Sequence, residues 1–445
     1  MKIIKNIDKI IKNAIYCTRE IINFQFWEEE ICLNSFEIAK EKVIKYQQEH
    51  LLNFYDKLSD NDKKELINQI LEIDFDLINN LYKNINNIQN SNDVIDPIAY
   101  TDKEKLTKEQ LATYRKIGKE TIKEKKYAVV TMAGGQGTRL GHNGPKGTFV
   151  LKLNPDKSLF EIFCDKLKRI KQQYNVTIPW YLMTSKENNS ATVEFFEKNN
   201  YFDYPKDAVK FFIQGEIPMI DKNGKVILTE KGLIKQAANG HGGIFEALFK
   251  NEIVQDMKAH GVEWVFIGPV DNPLVQMTDE VALGVAVNKN VLALGKSIVK
   301  ANPEEKVGVF CKRNNKPSVI EYTEITKEMA ERRDDNGELI FGESHINCNL
   351  FNIKAIEKIG DEKLPYHTAF KKATYMDEKG NIITPEEPNC YKFETFIFDA
   401  FEKLDNMEIL RGKREEEFAP VKNKEGVDSP ETAIELFKKV INNKK

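Results

Sequence analysis

Cysteine is scarce in this chain of 445 residues: six, at positions 17, 32, 164, 311, 348 and 390, with no CxxC pair and no finger-like spacing. That excludes a disulfide-stapled module and a structural zinc, and fits a reducing compartment. Histidine is equally sparse, and His50, His142, His260, His345 and His367 fall at no zinc-ligand spacing, so they take no role. An excess of one charge is also missing. Lys and Arg total 66 against 69 for Asp and Glu, a net charge of -3, so no whole-protein field attracts nucleic acid or an anionic membrane and any anion site must be local. No segment approaches the roughly 18 apolar residues of a membrane-spanning helix. The opening stretch MKIIKNIDKIIKNAIYCTREIINF is broken by charges every few residues, unlike the core of a secretory signal, and a cytoplasmic address is expected. There is no internal repeat and no low-complexity tract.

What is present is material for a globular fold. Hydrophobic residues make up 41%, aromatics 10% and charged residues 30%, enough to bury a core and keep a wet surface. The length is about three times a typical domain of roughly 150 residues, so two or three domains are expected. The first hundred residues have helical periodicity: Ile3, Ile7, Ile10 and Ile11, then HLLNFYDKL (50–58) and KKELINQILEI (63–73). The lysines beside the first isoleucine stripe read as the solvated face of a packing helix, since Asp8 and Glu20 spoil a basic membrane-binding face. The polar stretch 86–97, ending at Pro97, reads as linker. From Tyr127 the pattern changes to short apolar runs, YAVVTM (127–132), PWYLM (179–183), KFFI (210–213) and WVFIG (264–268), alternating with helical segments. This is an α/β pattern of parallel strands with covering helices. Ser158 and Glu161 predict a capping box. After Val307 the strands VGVF and PSVIEY around Asn314 and Asn315 read as a hairpin, which makes the sheet mixed, and a last helix starts near Ser429 with Pro430 in its first turn.

The segment TMAGGQGTRLGHNGPKGTF (131–149) follows the first of those strands. Its glycines let backbone N–H groups approach a phosphate closely. Neither common nucleotide loop fits: Leu140 stands where GxGxxG needs its third glycine, and Lys146 lies between Pro145 and Gly147 instead of before Ser or Thr. What remains is a glycine cradle with Arg139 inside and Lys146 at its exit, two fixed cations suited to a triphosphate. Asp271, in VDNPL at the end of an apolar strand, is a candidate magnesium ligand, and strand ends are where open α/β sheets bind ligands. NGHGG (239–243) precedes the helical stretch GIFEALFKNEIVQDM, whose N-terminus favours an anion, and Gly240 permits close approach.

AGGQGTRLG followed by PKG resembles the signature of nucleotide-sugar pyrophosphorylases. The likeness is to the UDP-N-acetylglucosamine pyrophosphorylase branch of the UDP-sugar pyrophosphorylases, in ordered blocks from about Tyr46 onward: QGEIP, NGHGG, VDNPL, GVF with VIEYTE, FETFIFDAF and EEEFAPVKN. The resemblance implies a Rossmann-like, GT-A-like nucleotidyltransferase core with a central mixed sheet, a helical N-terminal lobe and a small C-terminal domain, divided here as 1–105, 106–410 and 411–445. It implies a reaction of UTP with an N-acetylhexosamine 1-phosphate to give UDP-N-acetylhexosamine and pyrophosphate, with Mg2+. A UTP–glucose-1-phosphate or broad-specificity UDP-sugar pyrophosphorylase is the alternative. Partners would be these small molecules alone, with no nucleic acid or membrane, for a monomer or weak homo-oligomer.

In such a reaction the nucleophile is a phosphate oxygen already ionised near neutral pH. No general base is needed, and the task is alignment and charge neutralisation. The resemblance assigns Arg139, Lys146 and Lys422 to the phosphates and Asp271 to the metal. It gives UTP Ala133, Gly134, Gly135, Gly137, Thr138, Gln214, Gly240 and His241, with Gln214 reading uracil and His241 a phosphate or sugar contact. It gives the sugar Gly308, Glu321, an amide from HINCNLF (Asn347 or Asn349, with Asn349 preferred), and Phe396 and Phe398 around the N-acetyl group. Two phenylalanines two residues apart on one strand face are also what core packing produces.

Overall fold

The computed structural model describes residues 34–85 and 93–443. The isoleucine-striped opening segment, Cys17, Cys32 and most of the stretch read as linker lie outside these residues. The chain divides into two compact units; the described part of one comprises 34–85, 216–237 and 368–393, and that of the other 93–215, 238–367 and 394–443.

In the first unit, helix α1 spans 34–45, α2 Asp60–Glu72 and α3 Phe75–Asn84. Ser59 caps α2 by accepting the Asp62 N–H, and Asp74 caps α3 by accepting that of Leu77. HLLNFYDKL, expected as a helix, instead forms two 3-10 turns, Glu49–Leu52 and Tyr55–Lys57. Its partners explain why: Gln48 and His50 bond the hairpin backbone at Gly224 and Val226, contacts that hold the segment away from a continuous helix.

The second unit holds an eleven-stranded mixed sheet. Its strands are β1 Ile95–Pro97, β2 Thr101–Asp102, β3 Tyr127–Met132, β4 Trp180–Thr184, β5 Val209–Ile213, β6 Trp264–Pro269, β7 Ala293–Val299, β8 Val309–Arg313, β9 Lys316–Ile320, β10 Glu343–Asn352 and β11 Met407–Arg411. The main path runs β2-β11-β7-β10-β6-β3-β4-β5, with β8 joining β1, β9 and β10. Strands β6, β3, β4 and β5 are mutually parallel, while β10 runs antiparallel to β6 and β7. The last three residues of the expected linker are therefore a strand, β1, paired with β8. The β8–β9 hairpin turns at Asn314 and Asn315, both at positive φ (50 and 65°), the backbone that asparagine tolerates.

Burial on both faces accounts for the apolar runs. On β3, Tyr127 and Val129 join one core with Phe160, Trp180, Phe266 and Leu350, while Ala128 and Val130 join a second core with Tyr181, Phe245, Val265 and Phe351. The period of two sends alternate side chains to opposite helical layers. Helix α4 spans Lys108–Lys123 and α5 Leu159–Tyr174; half of the predicted capping box forms, since Ser158 Oγ accepts the Glu161 N–H while the Glu161 carboxylate turns to Lys157. Helix α6 spans Asn189–Lys198. The single helix expected after NGHGG is two seven-residue pieces, α7 Ile244–Lys250 and α8 Ile253–Ala259, interrupted where Glu252 takes a φ of 57°. The helix near the end spans Pro430–Asn443, with Ser429 Oγ accepting the Thr432 N–H. Cys164, Cys311, Cys348 and Cys390 are buried free thiols, and burial pushes the first three up to about 12, so they are held protonated. Among the described residues no helix is long and apolar enough to cross a membrane.

Candidate active site

The glycine loop leaves the carboxyl end of β3 and returns on itself. Gly137 N–H donates to Gly144 O (2.9 Å) and Lys146 N–H to Gly135 O (3.0 Å), closing an antiparallel bridge between Gln136 and Pro145. A Cβ on Gly147 would meet the Phe160 ring at 2.1 Å, so the exit of the loop lies directly on the core. A Cβ on Gly135 would meet nothing within 4 Å. Thr138 and Arg139 lie in the 3-10 turn Thr138–Leu140; both are exposed, and Arg139 has no ion-pair partner among the described residues. Beneath the loop Asn188, 1% exposed, donates from Nδ2 to Ala133 O at 2.9 Å and Gly135 O at 3.4 Å, and its Oδ1 accepts the Ser185 N–H at 2.9 Å.

Three strand ends converge on this loop. Gln214 follows β5, is buried, and is tied by its N–H to Thr184 O at the end of β4 (2.8 Å). Its side-chain amide packs on Gly134, where a Cβ would approach it to 2.9 Å. Asp271 follows β6, and its Oδ2 accepts from Lys146 Nζ at 2.9 Å. Asn272, 1% exposed, clasps a segment far along the chain: Nδ2 donates to Glu417 O (2.6 Å) and Oδ1 accepts the Ala419 N–H (3.0 Å). Val421 N–H then donates to Asp271 O at 2.8 Å. Lys422 is thereby brought next in chain to a residue bonded to Asp271, half-exposed, with Nζ 3.6 Å from Asp428 and 5.3 Å from the Phe418 ring centre.

The Glu417 carboxylate is anchored in turn by Lys296, which also bonds Asp279 (2.7 and 3.0 Å). These groups are buried, yet the Lys296 ammonium is held above its ordinary range because Asp279 and Glu417 outweigh the burial that opposes its charge. The Asp279 carboxyl is held far below its own range, against the pull of burial, by Lys296 and Lys103.

The residues expected around the sugar meet at a second cluster in the same unit. Asn239, which bonds Gly215 O through its N–H (3.1 Å), connects the two. Gly240 has a φ of 87° and a Cβ there would strike Thr395 O at 2.2 Å, so only glycine fits. His241 Nδ1 accepts the Ile397 N–H at 3.0 Å, and burial drops its pKa to about 4, leaving a neutral ring. Its ring stacks on Phe396 (centroids 5.3 Å apart), and Phe396 stacks on its other neighbour His367 (4.5 Å). His367 Nε2 bonds Asp399 Oδ2 at 2.9 Å; burial opposes its charge, but Asp399 prevails and raises its pKa. Phe398 lies edge-on to His345 (6.0 Å), whose Nε2 is 3.3 Å from Asn349 Oδ1. His345 is also held neutral, at about 3, by burial. Its N–H donates to Gly308 O (2.9 Å), and a Cβ on Gly308 would come within 3.1 Å of Glu321 Oε1. Burial, then Glu324, raises the Glu321 carboxyl. Asn349 is fully buried with Nδ2 unpartnered, whereas Asn347 sits at a bulge of β10 with φ 58° and Oδ1 unpartnered.

The structure thus places a glycine cradle, the Lys146–Asp271 pair and Gln214 at neighbouring strand ends, and the whole chain can be compared with known proteins. The profile of the UTP–glucose-1-phosphate uridylyltransferase family matches residues 78–428. The chain belongs to this family. It is 34% identical over 419 residues to the UDP-N-acetylglucosamine pyrophosphorylase of Saccharomyces cerevisiae, covering 89% of this chain and 88% of that one. It is 39% identical over 328 residues to the human UDP-N-acetylhexosamine pyrophosphorylase-like protein 1, covering 71% and 64%. The solved structure of the Trypanosoma brucei uridine diphosphate N-acetylglucosamine pyrophosphorylase, in complex with an inhibitor, superimposes with a TM-score of 0.79 at 28% identity, over 90% of this chain and 84% of that one.

In this uridylyltransferase-family chain, several residues that shape the site carry no signal in the sequence alone. His345 and His367, given no role above, stand among the expected sugar-binding groups, because β10 and the stack on Phe396 bring them there. Asn272 is visible only as the middle of VDN, and Asn188 belongs to no motif. The anion role expected of a helix N-terminus at NGHGG is not built as expected: α7 has seven residues, and His241 spends its Nδ1 on a backbone N–H. Among the described residues no three or more His, Cys, Asp or Glu side chains group to hold a metal. A lone carboxylate at Asp271 fits a divalent cation that arrives on a triphosphate, with phosphate oxygens and water as its other ligands.

Proposed function

We propose that this protein joins UTP to an N-acetylhexosamine 1-phosphate, giving UDP-N-acetylhexosamine, UDP-N-acetylglucosamine foremost, and pyrophosphate. The observation that carries the reading is the Lys146–Asp271 pair at 2.9 Å beside the glycine cradle. In it a cation that would hold a phosphate and a carboxylate that would hold Mg2+ neutralise each other. A phosphate oxygen of the sugar substrate attacks the α-phosphorus of UTP; the bond from that phosphorus to the bridging oxygen breaks, and its electron pair leaves with pyrophosphate. Arg139 and Lys146 hold the β- and γ-phosphates, where charge grows on the leaving group. Lys422, presented beside Asp271, adds a third cation. The loop from Ala133 to Thr138 lines the phosphates, offering the N–H groups that its own backbone bonds leave over, those of Gly134 and Gln136 among them, and Gln214 offers an amide to the uracil edge. Mg2+ held at Asp271 would supply charge neutralisation between phosphates.

Gly308, Glu321, Asn349, Phe396 and Phe398 form the sugar subsite, and Gly240 and His241, assigned to UTP, adjoin it through the stack of His241 on Phe396. Asn349 is preferred over Asn347 because its fully buried Nδ2 lacks a partner and its Oδ1 engages His345. The mixed sheet, with the glycine loop, Gln214 and Asp271 at its parallel strand ends, supports a GT-A-like arrangement. The test is pyrophosphate release from UTP with N-acetylglucosamine, N-acetylgalactosamine and glucose 1-phosphates. Turnover with the N-acetylhexosamines above that with glucose supports the reading; turnover with glucose 1-phosphate alone replaces it with the glucose reaction, and no release with any of the three ends it.

A further inference from the structure

The loop that cradles the nucleotide has a support in this chain that no motif announces. Asn188 lies at the entry to α6, 1% exposed, and its single side chain serves two ends of the sheet. Oδ1 accepts the Ser185 N–H at 2.9 Å, just past β4, and the Ser185 hydroxyl accepts the Asn188 N–H at 3.2 Å. Nδ2 points the other way and donates to Ala133 O at 2.9 Å and Gly135 O at 3.4 Å. The preceding residue of β4, Thr184, accepts the Gln214 N–H. One amide thus ties the loop to the same strand end that holds the uracil-reading glutamine.

The peptide bonds after Ala133 and Gly135 are trans. In a planar trans peptide the C=O and the N–H of the next residue point in opposite directions. Drawing the Ala133 carbonyl toward Asn188, and the Gly135 carbonyl toward Asn188 and the Lys146 N–H (3.0 Å), therefore turns the N–H groups of Gly134 and Gln136 the opposite way. Neither N–H has an acceptor among the described residues, although the neighbouring Ala133 N–H donates to Met183 O and the Gly137 N–H to Gly144 O. Two alternate donors left over on one side of a loop make an anion nest.

We propose that Asn188 is a positioning residue of the nucleotide site: by holding the Ala133 and Gly135 carbonyls it aims the Gly134 and Gln136 N–H groups at the triphosphate of UTP. This rests on the function proposed above. Asn188→Asp is nearly isosteric and keeps the oxygen that accepts from Ser185, so the turn into α6 survives. Its second oxygen faces two carbonyl oxygens and repels them. The Michaelis constant for UTP should rise about tenfold or more and that for the sugar 1-phosphate should stay within about twofold, since one lost hydrogen bond corresponds to about that factor, while the buried charge lowers the melting temperature of the folded variant. Asn188→Ala, which removes the donor without adding charge, should shift the same constant in the same direction by less.

Wild-type protein supplies an independent arm: amide hydrogen exchange across 133–137 should slow when UTP alone is added. Unchanged UTP constants in both variants overturn the proposal, as does an equal rise for both substrates, or exchange that UTP leaves untouched. A wild-type protein that slows exchange with UTP yet releases no pyrophosphate contradicts the proposed reaction and leaves this role standing.

Discussion

Replacing Lys146 by alanine tests the site where its electrostatics are densest. Its side chain is only 17% exposed, and Nζ lies 2.9 Å from Asp271. At an effective dielectric of about 20, a unit charge about 4 Å from a phosphate contributes about 4 kcal/mol, or about 10³ in rate. Removing one preorganised donor from an active site typically costs about 10²- to 10³-fold in kcat. The unpaired Asp271 carboxylate then adds repulsion toward the incoming triphosphate, which places the expected loss toward the upper end of that range. The fold should barely notice: a partly exposed ion pair is worth about 0–1 kcal/mol, and the melting temperature should move by less than about 4 °C. Pyrophosphate release from UTP and N-acetylglucosamine 1-phosphate, read beside a thermal melt, gives both quantities. Turnover within threefold of wild type at an unchanged melting temperature would refute the reasoning, because a cation facing the leaving group could not be that dispensable.

Lys422→Ala should lower turnover about 10- to 100-fold with an intact fold, a smaller effect because the side chain is 45% exposed; a variant with normal turnover and substrate affinity would remove it from the site. Asn272→Ala leaves the Glu417 carbonyl and the Ala419 N–H without buried partners, at about 1–3 kcal/mol each. It should lower both stability and turnover, and a melt matching wild type would contradict the clasp. For His241 the folded value of about 4 lies below the ordinary 6.5. Its neutral ring therefore stabilises the fold fully above about pH 6.5, and that stability drains away as pH falls toward about 4. Melting temperatures of His241→Asn, which keeps an acceptor for Ile397 but does not titrate, should decline less over that interval; an identical decline would sink the assignment. His367 has the opposite sign. Asp399 raises its value, so its contribution is complete below about pH 6.5 and is lost as pH rises through the folded value. His367→Asn should flatten that alkaline limb of the melting curve.

Local features were the legible ones. The strands of the parallel core could be read because burial on both faces makes them uninterrupted apolar runs, and the Asn314–Asn315 turn because its residue types match its backbone. The glycine loop, Lys146 and Asp271 were legible because each lies within a few residues of a recognisable strand end. Long-range contacts were not. HLLNFYDKL has helical periodicity but is held as 3-10 turns by hairpin backbone about 175 residues further on, with sequence separations of 176 in both bonds. The stretch after NGHGG has apolar spacing for one long helix, yet breaks at Glu252. His345 and His367 fall at no ligand spacing, and their positions come from ring packing and one buried amide. Asn188 has no pattern at all: its meaning lies in two carbonyls more than fifty residues upstream, with separations of 55 and 53.

The clasp between Asn272 and residues 417–421 has a consequence for biosynthesis. The glycine loop is made early, but the segment that Asn272 clasps, and Lys422 next to it, is made almost three hundred residues later. A ribosome-tethered chain that has not yet released residues 417–421 would leave the Asn272 amide without the backbone partners it clasps in the complete fold.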